Sequence, residues 1–105
     1  MTGKRTGETE IAEAVLRILA DRSNGEATIG QLKNGIQEYI NLTEGDRQQS
    51  DTRPNEELWE QLVRNIVSHK NAEGNIVAEG LANRPSRGRL RITEAGRLHV
   101  KNKYG

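Results

Sequence analysis

Five arginines, a proline and two glycines crowd into RPSRGRLRITEAGR, residues 84–97. A guanidinium binds phosphate in a fork geometry, and a narrow minor groove draws it in further. Arg84, Arg87 and Arg89 are therefore candidate phosphate ligands on a loop whose tip is shaped by Pro85 and Gly88, and Ser86 adds a hydroxyl donor. Just beyond, Leu90 and Ile92 alternate with Arg89 and Arg91, which puts both arginines on the side of a strand opposite the apolar pair. A solvated sheet face with no ligand is the competing account of the same charges.

The second set of chemistry-bearing residues lies upstream, in NEELWEQLVRNIVSHKN. On a helical projection Leu58, Trp59, Leu62, Val63, Ile66 and Val67 form one side, while Glu57, Glu60, Gln61, Arg64 and Ser68 point the other way. Gln61 suits adenine and Arg64 suits guanine, and Arg53 and Asn55 stand at the helix entrance. Glu57 and Glu60 repel phosphate, so a merely solvated helix face competes with base reading here. Trp59, the sole tryptophan, falls mid-stripe and is expected in the core rather than as a stacking platform. His69 and His99 are isolated, with no cysteine anywhere, so no metal site is expected.

These groups need elements to position them. Ile11, Val15, Ile18 and Leu19 predict a helix from residue 9 to the stop signals Asn24 and Gly25. Thr28 and Gln31 form a capping box for a second helix over 28–40, weakened by Gly30 and Gly35. Pro54 and Asn55 open the third. IVAEGL and RLRIT then predict two strands joined by the arginine-rich loop, and Thr93 caps a short final helix. The expected class is mainly α with a small antiparallel β-hairpin, in the order helix-helix-helix-strand-strand-helix. That is a winged helix, with the third helix as recognition element and the loop as wing. Residues 1–8 read as a flexible arm, 9–100 as the winged-helix domain and 101–105 as a basic tail.

Charge agrees with a polyanion partner. Residues 1–52 carry six basic and nine acidic groups, a net of −3, whereas 53–105 carry ten and six, a net of +4. A chain of 105 residues has room for one core. It shows no Gly-rich phosphate loop, no Ser-centred elbow and no paired acids with a companion lysine, so neither catalysis nor a cofactor is expected. No apolar run approaches a membrane span or a signal segment, and a cytoplasmic protein is expected.

Three stretches, LTEGDRQ, RPNEELWEQLVRNIVSHKNAEGNI and RGRLRITEAGR, together resemble the amino-terminal domain of Mrr-type restriction proteins. The most specific parts are Trp59, Gly88 and the ITEAGR ending. The resemblance implies a winged-helix module that binds double-stranded DNA without catalysis, in a restriction or defence system or as a small regulator, with a nuclease fused or separate. A winged-helix protein–protein interaction or dimerisation module is the alternative, cued by the acidic first half, and a homodimer is compatible with either.

Overall fold

The structure, a computed structural model, describes residues 8–42, 44, 47–49, 56–68 and 75–105. Its elements are α1 (Glu8–Asp21), β1 (Glu26–Thr28), α2 (Ile29–Ile36), α3 (Leu58–Ser68), β2 (Ala82–Ser86), β3 (Arg89–Ile92) and α4 (Glu94–Tyr104). The class is the expected one, mainly helical with a small antiparallel sheet, in an order compatible with the winged-helix layout.

α1 is the central helix. Its predicted stripe of Ile11, Val15, Ile18 and Leu19 is buried throughout, and the helix packs against α2, α3, α4 and β3. Each aliphatic side chain so buried contributes about 1.5–3 kcal/mol. Leu32 and Ile36 of α2, Val63 and Ile66 of α3, and Leu90 and Ile92 of β3 close the same core. Trp59 is buried in it, 6% exposed, so its ring is unavailable for stacking on a base. Its indole Nε1 donates to Glu57 Oε1 at 2.7 Å. Asn75, the one buried polar residue among those described, donates from Nδ2 to Ile66 O at 2.9 Å and so satisfies a carbonyl in the last turn of α3.

The sheet has strand order β1-β3-β2, all antiparallel. β3 is thus the central strand, which accounts for its clean alternation. Leu90 and Ile92 face the core beside Ala27 and Ala82, while Arg89 and Arg91 face outward. Two features depart from the sequence expectation. The sequence predicts no β1, because three residues carry too little alternation to register; only pairing with β3 makes them a strand. The first wing strand, expected over 76–81, instead lies over Ala82–Ser86. Residues 76–80 form turns closed by Glu79 N donating to Asn75 O at 2.9 Å and Gly80 N to Val77 O at 3.1 Å. β2 is an edge strand with only Ala82 buried, so nothing in its hydrophobicity marks it. The pairing steps from Asn83↔Arg91 to Ser86↔Arg89, three residues against two, which places a β-bulge at Arg84 and Pro85. A bulge on an edge strand is where a proline, lacking an N–H, is tolerated.

The helix ends are also adjusted. α2 stops at Ile36 rather than 40, and the chain turns there as Tyr39 N donates to Ile36 O at 3.0 Å. α3 begins at Leu58; Glu56 and Glu57 precede it, with Glu57 in a β-bridge to Gln49. α4 runs through Tyr104, so most of the expected basic tail is helical. It is pinned to α1 by one carboxylate: Glu13 accepts from Tyr104 Oη at 2.8 Å, meets His99 Nε2 at 2.9 Å and lies 3.4 Å from Lys103 Nζ. Burial alone raises the Glu13 pKa, but the bonds from Tyr104 and His99 and the charges of His99 and Lys103 outweigh it, leaving the carboxyl below its ordinary value. Arg17 stacks between the rings of Tyr39, 4.7 Å from its centroid, and Tyr104, 4.3 Å away.

Both expected caps form. Thr28 and Gln31 exchange bonds of 2.9 and 3.2 Å at the start of α2, and Thr93 Oγ1 accepts from Gly96 N at 3.0 Å at the start of α4. The TEAG run does more than cap. Thr93 Oγ1 donates to Gly80 O at 2.6 Å, Thr93 N donates to Leu81 O at 3.1 Å, and Gly96 lies so close to this segment that a Cβ there would stand 2.1 Å from Leu81 O. Gly88, by contrast, has φ +71° with open space where a Cβ would go.

Alanine at these two glycines separates the two effects. In an ordinary helix Gly→Ala stabilises by up to about 1 kcal/mol. Gly96→Ala is expected to destabilise instead, by about 2 kcal/mol or more, because backbone must move. Gly88→Ala should cost about 1 kcal/mol, from its left-handed backbone alone. Urea unfolding of the two variants beside wild type measures both.

Candidate nucleic-acid interface

The wing is the β2–β3 hairpin. Arg87 and Gly88 form its turn, and the positive φ of Gly88 lets the chain reverse between the paired residues Ser86 and Arg89. Arg84, Ser86, Arg87 and Arg91 are exposed and Arg89 is half-buried. Strand register sets two outward-facing rows: Thr28, Arg89 and Ser86 in one, Glu26, Arg91 and Asn83 in the other. Arg91 thus lies across from a carboxylate-bearing residue, and Arg89 lies between two hydroxyls. Among the described residues none of Arg84, Arg87, Arg89 and Arg91 is in an ion pair.

The third helix is electrostatically different. Arg64 does not reach out alone: its Nη2 donates to Glu56 Oε2 at 2.8 Å and its Nε to Glu56 Oε1 at 3.2 Å, a bidentate fork. Lys33 of α2 reaches the same carboxylate oxygen as Arg64 Nη2, Nζ to Oε2 2.5 Å, and lies 3.7 Å from Glu60. The Arg64 fork, aided by Lys33 and opposed by partial burial, holds the Glu56 pKa down at about 2, and Glu56 in turn raises that of Arg64. Among the described residues, Glu56 thus meets one arginine and one lysine. Of the two acids that weigh against phosphate at this helix, Glu60 lies 3.7 Å from Lys33, whereas Glu57 is 39% exposed and lies 3.7 Å from Arg47. Gln61 is half-buried on α3. Arg53 and Asn55 lie outside the described residues.

α2 links the two regions. Ile29 N donates to Gly88 O at 3.0 Å, so the wing turn rests on the first residue of the helix. Lys33, which holds the Glu56–Arg64 pair, comes four residues later, one turn and about 6 Å along the axis. Neither the Arg64–Glu56 fork nor the approach of Lys33 to Glu56 is legible in the sequence. Glu56 precedes the helix, so helical spacing says nothing of the pair, and Lys33 is 23 residues from Glu56.

The profile of the Mrr N-terminal domain matches residues 9–102, nearly the whole chain. The chain belongs to the Mrr N-terminal domain family. The family ties it to restriction systems and bears out the resemblance carried by Trp59, Gly88 and the ITEAGR ending. Comparison with curated proteins gives no match, and comparison with solved structures gives none. No helix among the described residues is long and apolar enough to cross a membrane, and no group of three His, Cys, Asp or Glu side chains among them is placed to hold a metal ion.

The Glu56 cluster has a pH signature. Its folded-state pKa, about 2, lies below the ordinary 4.5, so its stabilisation is complete above pH 4.5 and drains away as pH falls toward 2. Glu56→Gln should lower stability at pH 7 by on the order of 2 kcal/mol and flatten the decline between pH 5 and 2. Unfolding midpoints across that range, for wild type and variant, check both sign and size.

Proposed function

We propose that this domain binds double-stranded DNA as the recognition module of a restriction or defence system, its wing gripping phosphates. The observation that carries this function is the set of wing arginines, Arg84, Arg87, Arg89 and Arg91, held without an ion-pair partner among the described residues on a short hairpin. Four like charges on one ribbon repel one another and are relieved by a polyanion. Ser86, beside Arg89 in the pairing, adds a hydroxyl donor to the same ribbon. The contact between the wing turn and α2, one turn from the Arg64 cluster, supports a common surface for phosphate contacts and base reading. The domain supplies binding and no chemistry; cleavage belongs to a nuclease, fused or separate, and the work is done in the cytoplasm.

Binding to a random duplex, followed by fluorescence anisotropy at 50 and 200 mM salt, tests this. Three phosphate contacts predict a loss of roughly 40-fold across that interval. Replacing Arg84, Arg87 and Arg89 together by Ala should remove most of the salt dependence and most of the affinity. Unchanged affinity in the triple variant would exclude the wing as the contact, and partner capture that survives nuclease treatment would favour a protein ligand instead.

A further inference from the structure

Arg64 is engaged through one edge of its guanidinium only. Glu56 takes Nε and Nη2, while Nη1 has no hydrogen-bond partner among the described residues, and the side chain is 32% exposed against 11% for the carboxylate. An arginine on a surface helix ordinarily samples many rotamers, and ordering it on a ligand costs entropy. Here a largely buried carboxylate, itself anchored by Lys33, fixes the guanidinium plane from behind. What faces away is the Nη1–Nη2 edge, whose two N–H groups match the O6 and N7 acceptors of guanine in the major groove.

We propose that Glu56 is a positioning residue that clamps Arg64 so that its free edge reads a guanine, making the Lys33–Glu56–Arg64 cluster the specificity element of the DNA-binding surface. This rests on the DNA-binding function above. It divides the work physically: the wing, with no ion pairs among the described residues, supplies sequence-independent affinity, and the carboxylate-paired Arg64 supplies base choice. Pairing with Glu56 serves that role. An arginine whose charge is balanced by its own domain gains little from phosphate in general and is selected by donor geometry.

The test selects binding sites from a randomised duplex pool with wild type, Arg64→Ala, Arg64→Lys and Glu56→Gln, alongside anisotropy with a random duplex and thermal unfolding of each. Wild type should favour guanine at one position by roughly 5- to 150-fold, the discrimination of one bidentate contact. Arg64→Ala and Arg64→Lys should both erase that preference, the latter because a lysine keeps the charge but has no fork. Glu56→Gln should weaken the same preference about fivefold or more while random-duplex affinity stays within about threefold or rises, since the wing phosphate contacts are intact. Guanine preference at wild-type strength in Glu56→Gln or in Arg64→Lys overturns the proposal, and the lysine variant decides it if Glu56→Gln fails to fold. Wild type that binds duplex with no preference sensitive to Arg64→Ala overturns it while leaving the wing function standing. Wild type that does not bind duplex at low salt overturns both.

Discussion

The fold turns on the close approach of Gly96 to the carbonyl of Leu81. A side chain at that position cannot coexist with the observed backbone, so the first turn of α4 sits directly on the segment that leads into the wing. Thr93 strengthens the junction by working in two directions, capping α4 through Gly96 N and donating to Gly80 O. The contacts of Thr93 and Gly96 with Gly80 and Leu81 thereby fix where β2 starts, and since β2 has only Ala82 in the core, this anchoring, the pairing with β3 and the bond from Ile29 N to Gly88 O hold the hairpin in place. The far end of α4 is held independently, by the convergence of His99, Lys103 and Tyr104 on Glu13 and by the stacking of Tyr104 on Arg17.

On this frame the charges are divided between two environments. In the wing, cations share a ribbon with hydroxyls and one cross-strand glutamate, and they remain open to outside anions. At α3, Glu56 and Glu60 are matched by Lys33 and Arg64 at short range, in a partly buried setting where such pairs resist salt better than exposed ones. The net +4 of residues 53–105 comes from the hairpin and α4, since Lys33 belongs to the acidic half and the α3 cluster's own share of residues 53–105, Arg64 against Glu56 and Glu60, is not positive. The two environments differ in whether the cations have an ion-pair partner among the described residues.

Much of the architecture was legible because it follows from local periodicity and local chemistry. The stripe of α1, the burial of Trp59, the Thr28–Gln31 box and the Thr93 cap all involve residues within a few positions of one another. The alternation in RLRI was legible too, because a strand with a neighbour on either side buries one whole face. The short strand β1 and the edge strand β2 were not, since each owes its conformation to β3 and neither has a hydrophobic face of its own to announce it. Turns over residues 76–80 leave the first wing strand to the stretch that otherwise reads as loop, where a bulge at Arg84 and Pro85 accommodates the proline.

The candidate site divides in the same way. Composition and order alone determined that a cationic hairpin follows an amphipathic helix, and three stretches taken together, with Trp59, Gly88 and the ITEAGR ending, marked the family, because these are properties of contiguous residues. Tertiary structure decided what the cations meet. Arg64 and Glu56 are eight residues apart across a helix boundary, and Lys33 arrives from another helix altogether. Coulomb energy depends on distance through space, which the packing of α2 against α3 sets and no spacing along the chain encodes.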